Sequence, residues 1–282
     1  MNPLLVLSYL QAARLLAAKR AGQATVSLSP DLGLSQVEVT LGPDKVVFPA
    51  QAQLTWSQIE EIAATENVCF AVEGNCLQRI QQFSAMTNRF CSLMPTPLAP
   101  ALLIAGFPMH RIKDTDPYHD TLNKIRTVRP IGERVLDTAT GLGYTAIEAS
   151  RTADQVITVE IDPTVLEIAR LNPWSRELFD NPKISQRAGD SYEVIETFED
   201  ETFSCIVHDP PTLSLAGDLY SGEFYRQMFR VLTRHGRLFH YIGSLASGQG
   251  QRVAQGAIRR LQAAGFGKVR PCPQAFGLLA YK

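Results

Sequence analysis

The feature that most constrains this chain is a repeated alternation of short apolar runs and amphipathic helical segments beginning near Glu133. Apolar runs fall at Arg134–Thr138, Val156–Ile161, Ile184–Arg187, Phe203–His208 and Arg237–Ile242. Between them, Pro163 follows Asp162 at a favourable first helical position, and Val165, Ile168 and Ala169 share one face. Phe224, Met228, Val231 and Leu232 keep helical spacing, with Gly236 as the expected stop. Val253, Ala257, Leu261 and Ala264 repeat the pattern before Gly265. Strand–helix alternation of this kind predicts a parallel sheet with helices on both faces. The last two runs, Lys268–Pro271 and Gly277–Tyr281, have no helix between them and predict an antiparallel hairpin at the sheet edge.

The first 110 residues read differently. An opening amphipathic helix precedes alternating runs at Thr25–Leu28, Gln36–Leu41 and Lys45–Phe48, separated by turn residues. Trp56–Thr65 reads as a helix, Val68–Val72 as a strand, and Met94–Pro100 as a proline-rich loop. The expected organisation is a small α+β domain over residues 1–110 and an α/β domain over 111–282. With 282 residues, 45% hydrophobic and 20% charged, the composition excludes disordered, collagenous and disulfide-framework classes. The five cysteines form no C-x-x-C pair, so no metal site is expected and a reducing, cytoplasmic setting is. No run reaches the roughly 18 apolar residues that a membrane span requires, and no membrane partner is expected.

Chemistry concentrates at the ends of the predicted strands. In Val135-Leu136-Asp137-Thr138-Ala139-Thr140-Gly141-Leu142-Gly143 an apolar strand enters a glycine turn and then a helix, where backbone can approach a nucleotide-like ligand. Glu160 ends the second strand, where a carboxylate can accept both ribose hydroxyls. Asp190 follows the third strand and can accept from an adenine amino group. Asp209, in His208-Asp209-Pro210-Pro211, follows the fourth. Four acids at consecutive strand ends converge on one crevice, because such ligands bind outside the carboxyl ends of the strands.

These motifs resemble those of class I S-adenosylmethionine-dependent methyltransferases: VLDTATGLG, VEID, AGD, and HDPP followed by a helix and GRLFHY. The match spans about residues 130–282. The resemblance implies a Rossmann-like seven-stranded sheet with helices on both faces and a C-terminal antiparallel hairpin. It implies S-adenosylmethionine as cofactor, held by Asp137, Thr138, Ala139, Gly141, Gly143, Glu160, Ile161, Asp190 and Ser191. Ala139 replaces the first glycine of that family's turn. Asp209, Pro210 and Pro211 resemble the (D/N)PP(Y/F/W) turn of nitrogen-directed methyltransferases, with Thr212 at the aromatic position.

A narrower resemblance joins LYSGEFY (219–225), VEIDPTVLEIAR and DPYHD (116–120) to the polyamine aminopropyltransferases, which use decarboxylated S-adenosylmethionine. In those enzymes the segment carrying Tyr118, His119 and Asp120 lines the cofactor pocket, so Tyr118 joins the expected cofactor contacts. Their glycine-rich GGGDGG turn is TATGLG here, and the second acid of their D-S-x-D motif falls on Thr212. The sequence thus favours methyl transfer to a nitrogen of RNA, protein or a small amine. Aminopropyl transfer is the alternative, and a non-catalytic cofactor-binding module is a third reading.

Net charge is −1 but polarised. Residues 111–223 carry 11 basic and 21 acidic residues, whereas residues 224–282 carry 10 basic residues and no acid. Arg226, Arg230, Arg234 and Arg237, then Arg252, Arg259, Arg260, Lys268 and Arg270, could track the phosphates of a nucleic acid. They could equally pair with the acidic middle of the same domain. Strand alternation turns His208 away from Asp209, and His240 or Tyr241 is expected to face the crevice.

Overall fold

A computed structural model of the chain describes residues 5–49, 52–129, 134–211 and 216–282. These divide into two compact units, residues 1–118 with 164–176 and residues 119–163 with 177–282. The sequence-based boundary fell at 110/111, because hydrophobic periodicity does not reveal which unit a helix joins.

Among the described residues, the first unit holds three antiparallel sheets and three helices, the last of which is Pro163–Arg170. The segment read as one opening helix is split: Leu5–Leu7 is a buried strand paired with Phe70–Val72, and the helix spans Tyr9–Arg20. Ser8 causes the break. It caps the helix in extended conformation, in a capping box with Gln11. A second capping box, Thr55 with Gln58, starts the helix Trp56–Ala63. Leu7, Leu15, Leu54, Ile59, Ile62 and Phe70 lie in this unit's core. Four strands at Gln81–Ser84, Arg89–Met94, Ala101–Ile104 and Phe107–Pro108 form a meander that the sequence pattern did not resolve.

The second unit is built on a seven-stranded sheet. Its strands are β1 (Arg134–Asp137), β2 (Gln155–Glu160), β3 (Ile184–Ala188), β4 (Phe203–His208), β5 (Leu232–Tyr241), β6 (Lys268–Cys272) and β7 (Gly277–Tyr281). Spatial order is β3-β2-β1-β4-β5-β7-β6. The first five pair in parallel, and β7 pairs antiparallel with both β5 and β6, as the terminal hairpin requires. The strand order reverses between β2-β1 and β4, which is where an open α/β sheet leaves a crevice. The helices named below are α1 (Pro117–Val128), α2 (Tyr144–Ala149), α3 (Pro163–Arg170), α4 (Arg176–Asp180), α5 (Ser191–Val194), α6 (Gly222–Val231) and α7 (Gly248–Ala263).

One helix ends sooner than its periodicity predicts. α6 stops at Val231 rather than near Gly236, because Leu232 turns extended (φ −73°, ψ 138°) and pairs with Phe203. His235, at φ +67°, and Gly236 belong to the strand that follows. Fully buried Phe203, Phe224, Tyr225, Met228, Phe266 and Leu278 pack this unit's core.

Several basic residues of the C-terminal stretch pair with the acidic block. Arg230 Nη1 lies 2.7 Å from Asp200, Lys282 Nζ lies 3.8 Å from Glu201, and Arg226 pairs with Glu223. Arg260 donates instead to the Tyr220 carbonyl at 3.0 Å. Among the described residues no helix is long and apolar enough to cross a membrane.

The glycine turn after β1 gives a direct test of the packing. Gly143 sits at φ +79° against Leu178 of α4, whose Cδ2 would lie 2.7 Å from an added Cβ; at Gly141, φ +52°, an added Cβ meets nothing within 4 Å. Gly143→Ala is expected to cost about 1–3 kcal/mol through overpacking and left-handed strain. Gly141→Ala should cost about 1 kcal/mol from strain alone. Urea midpoints of the two variants check the order; equal losses would contradict it.

Candidate functional site

Four strand-end carboxylates lie along the carboxyl edge of the sheet, and each meets a different donor. Asp137 ends β1 with no solvent exposure. Its Oδ2 accepts from Thr145 Oγ1 at 3.0 Å and Thr158 Oγ1 at 2.9 Å, and Thr140 Oγ1 lies 2.6 Å from Thr158 Oγ1. Asp137 Oδ1 is buried without a hydrogen-bond partner. Burial pushes this carboxyl up to about 7, against the two threonine hydroxyls that favour its ionised form.

Glu160 ends β2. Its Oε2 accepts from the Gly141 amide at 2.8 Å and its Oε1 from the Asp162 amide at 3.0 Å. Burial raises its pKa, and these amides work in the opposite direction. Ile161, beside it, is 43% exposed, a large apolar side chain open at the strand end. Asp190 follows β3 and caps α5, accepting from the Tyr192 amide at 2.9 Å. Ser191 Oγ donates to the Thr138 carbonyl at 2.6 Å.

The turn between β1 and α2 is held from both neighbouring strands. Thr138 N donates to the Val207 carbonyl at 3.1 Å, and Thr140 N donates to the Val159 carbonyl at 2.9 Å. Ala139, at the position where the methyltransferase turn has its first glycine, is partly exposed. The open space at Gly141 and the packed side of Gly143 assign different jobs to the two glycines: the first leaves room at the crevice, the second seats the turn on Leu178.

His208 ends β4 fully buried. Its Nε2 lies 2.9 Å from the Leu219 carbonyl, which can only accept, so Nε2 carries the proton. Nδ1, 2.6 Å from Thr138 Oγ1, is therefore the acceptor. Burial lowers its pKa to about 3, so the ring is neutral and serves packing, turned away from Asp209 as strand alternation requires. His240 is likewise buried beside Tyr225, whose hydroxyl lies 2.8 Å from Nε2.

Asp209 has a partner that motif reading missed. Lys124, in the third turn of α1, places Nζ 2.6 Å from Asp209 Oδ2 and 2.7 Å from Asp120 Oδ2. The lysine side chain is 5% exposed and its ammonium lies 4.7 Å from the Tyr241 ring centre. Tyr241 is thus the β5 aromatic that lies against this lysine. Burial opposes the charge on Lys124, but the two carboxylates outweigh it and hold its pKa above the ordinary lysine value. A sequence signal existed: Asp120 and Lys124 are four apart on a helix. Pro211, whose carbonyl accepts from Tyr220 Oη at 3.1 Å, and buried Pro210 complete the turn; Thr212 lies outside the described residues.

Tyr118 belongs to the first unit, where its ring lies 5.5 Å from that of Trp174. His110 lies in the same unit, and its Nδ1 accepts from the Leu102 amide.

Residues 119–238 match the family model described as Conserved hypothetical protein 95. The chain is 44% identical over 238 residues to the uncharacterized protein MJ1233 of Methanocaldococcus jannaschii, covering 83% of this chain and 80% of that protein. It is 30% identical over 150 residues to the polyamine aminopropyltransferase of Sulfolobus acidocaldarius, and spans about half the length of that enzyme (48%). A spermidine synthase crystal structure in complex with the transition-state analogue AdoDATO superposes with TM-score 0.58 at 18% identity, over 74% of this chain and 76% of that one. The chain belongs to the family of MJ1233, and its fold is that of the spermidine synthases.

The buried Asp137 gives a pH-dependent expectation. A carboxyl raised from 3.8 in the unfolded chain to about 7 in the fold favours the native state most below pH 4. That contribution, about 4 kcal/mol at most, is lost as pH rises from 4 to 7. Asp137→Asn removes the titration. Its melting temperature relative to wild type is therefore expected to improve from pH 5 to pH 8; a difference independent of pH would contradict the assignment.

Proposed function

We propose that this chain is an S-adenosyl-sulfonium-dependent transferase that moves an aminopropyl group from decarboxylated S-adenosylmethionine to an amine. The motifs alone favoured methyl transfer; the names of the aminopropyltransferase relatives support the other branch better. The observation that carries the reading is the charge of the crevice. Glu160, Asp190 and Asp209 end neighbouring strands, and the ammonium of Lys124 is shared between Asp209 and Asp120. Such an excess of carboxylates suits a donor that carries an ammonium without a carboxylate, and an acceptor that is itself a cation.

The residues fit a nucleoside sulfonium. The space at Gly141 admits a ligand against the turn. Two amides occupy one lone pair on each oxygen of Glu160, leaving a second on each for ribose hydroxyls. Asp190 and Ile161 stand beside it for the adenine amino group and ring face. When bound, the sulfonium supplies a carbon already activated for displacement, so the chain's task is orientation. Asp209 receives an N–H of the acceptor and Tyr241 borders it. Asp120, buried and bonded to Lys124, adds a second carboxylate behind Asp209.

One observation favours methyl transfer instead. Lys124 already neutralises much of Asp209, which weakens its hold on a diamine. Incubating the chain with either donor and putrescine separates the readings by the thioether released. Methylthioadenosine from the decarboxylated donor is the expected product, and adenosylhomocysteine would assign methyl transfer. Binding of neither donor would overturn both. Glu160→Gln is expected to weaken donor affinity about 10- to 100-fold by calorimetry; an unchanged affinity would remove Glu160 from the nucleoside site.

A further inference from the structure

We propose, on the reading of the chain as an amine-directed transferase, that Lys124 is a positioning residue for the acceptor acid: it engages Asp209 through Oδ2, keeps that carboxylate ionised, and leaves Oδ1 to receive the acceptor N–H. The geometry is specific. Lys124 Nζ bridges Asp209 Oδ2 at 2.6 Å and Asp120 Oδ2 at 2.7 Å, with Lys124 5% and Asp120 2% exposed. Asp209, by contrast, keeps 21% of its side chain exposed, and its bond to Lys124 falls on one oxygen. The carboxylate is thus held through Oδ2 while part of its side chain stays exposed.

A merely structural role explains this arrangement poorly. Taking three charges out of water returns little net stability, and apolar packing of similar volume does as well. What the lysine does change is the charge state of its neighbours. Two carboxylates sharing a site withdrawn from water cannot both ionise without a cation between them. Lys124 faces Asp209 from α1 together with Asp120. Asp137 faces it from β1, Tyr241 from β5 and Tyr220 from the short turn Gly217–Tyr220. His208, although adjacent in sequence, is directed to Thr138 and Leu219. Lys124 is the one cation among these groups, so the ionisation of Asp209 depends on it. It also places a positive charge beside an incoming amine, which favours the neutral, nucleophilic form of that amine.

Asp carboxyl carbons can be followed by 13C NMR titration of the full chain in wild type, Lys124→Met, Lys124→Arg and Asp120→Asn. The Asp209 midpoint is expected to rise by at least one pH unit in Lys124→Met, a tenfold or greater gain in proton affinity. It should return towards wild type in Lys124→Arg and fall in Asp120→Asn. Donor affinity, by calorimetry, should stay within threefold in all variants, while the acid limb of the turnover profile moves with the Asp209 midpoint. An unmoved Asp209 midpoint in Lys124→Met overturns the proposal, as does a donor affinity that falls in parallel with the midpoint shift. If Lys124→Met does not fold, Asp120→Asn decides, and an Asp209 midpoint that fails to fall there overturns the proposal. Failure of the wild type to bind either donor overturns the transferase reading separately, because the carboxyl titration is read without any donor.

Discussion

A carboxylate withdrawn from water must find hydrogen-bond donors or a cation, and this requirement organises the carboxyl edge of the seven-stranded sheet. Each strand-end acid meets it differently. Asp137 takes two threonine hydroxyls, Glu160 two backbone amides, Asp190 the first turn of α5, and Asp209 an ammonium. The differences separate their capacities. Asp137, wholly enclosed and pushed towards neutrality, serves the turn beneath it. Glu160, Asp190 and Asp209 each retain an open side that a ligand can reach.

The same donors hold the backbone in place. Glu160 reaches across from β2 to the Gly141 amide, so this acid and the glycine turn constrain each other. Ser191 ties α5 to the Thr138 carbonyl, and Thr138 in turn bonds His208. A side chain lost from this set therefore disturbs more than its own contact. Such networks are worth more than the sum of their pairs. The buried histidines extend the set without adding charge, since desolvation keeps both rings neutral.

Much of this is legible in the sequence. The parallel strands, the terminal hairpin and the acids at consecutive strand ends follow from periodicity and turn residues, because those signals are local. Three features were not legible for physical reasons. The capping box at Ser8 divides an apolar stretch whose composition suits either a strand or a helix. The premature end of α6 at Leu232 depends on pairing with Phe203, a contact distant in sequence. The pairing of Lys124 with Asp209 joins residues 85 positions apart. Motif reading also grouped Gly141 with Gly143 as cofactor contacts, whereas only Gly141 stands beside open space.

Fold and chemistry remain separable here. The seven-stranded sheet is shared by enzymes that transfer different groups, so the reaction has to be argued from side chains. The central claim is that the edge bearing Gly141, Glu160 and Asp190 is a nucleoside site. The most direct measurement is amide-resolved NMR of the chain titrated with 5′-methylthioadenosine, the nucleoside portion common to both donors. The account expects saturable shifts at the amides of Gly141, Ile161, Asp162 and Ser191, with residues of the β6–β7 hairpin unmoved. Shifts confined elsewhere, or none at millimolar ligand, would contradict it.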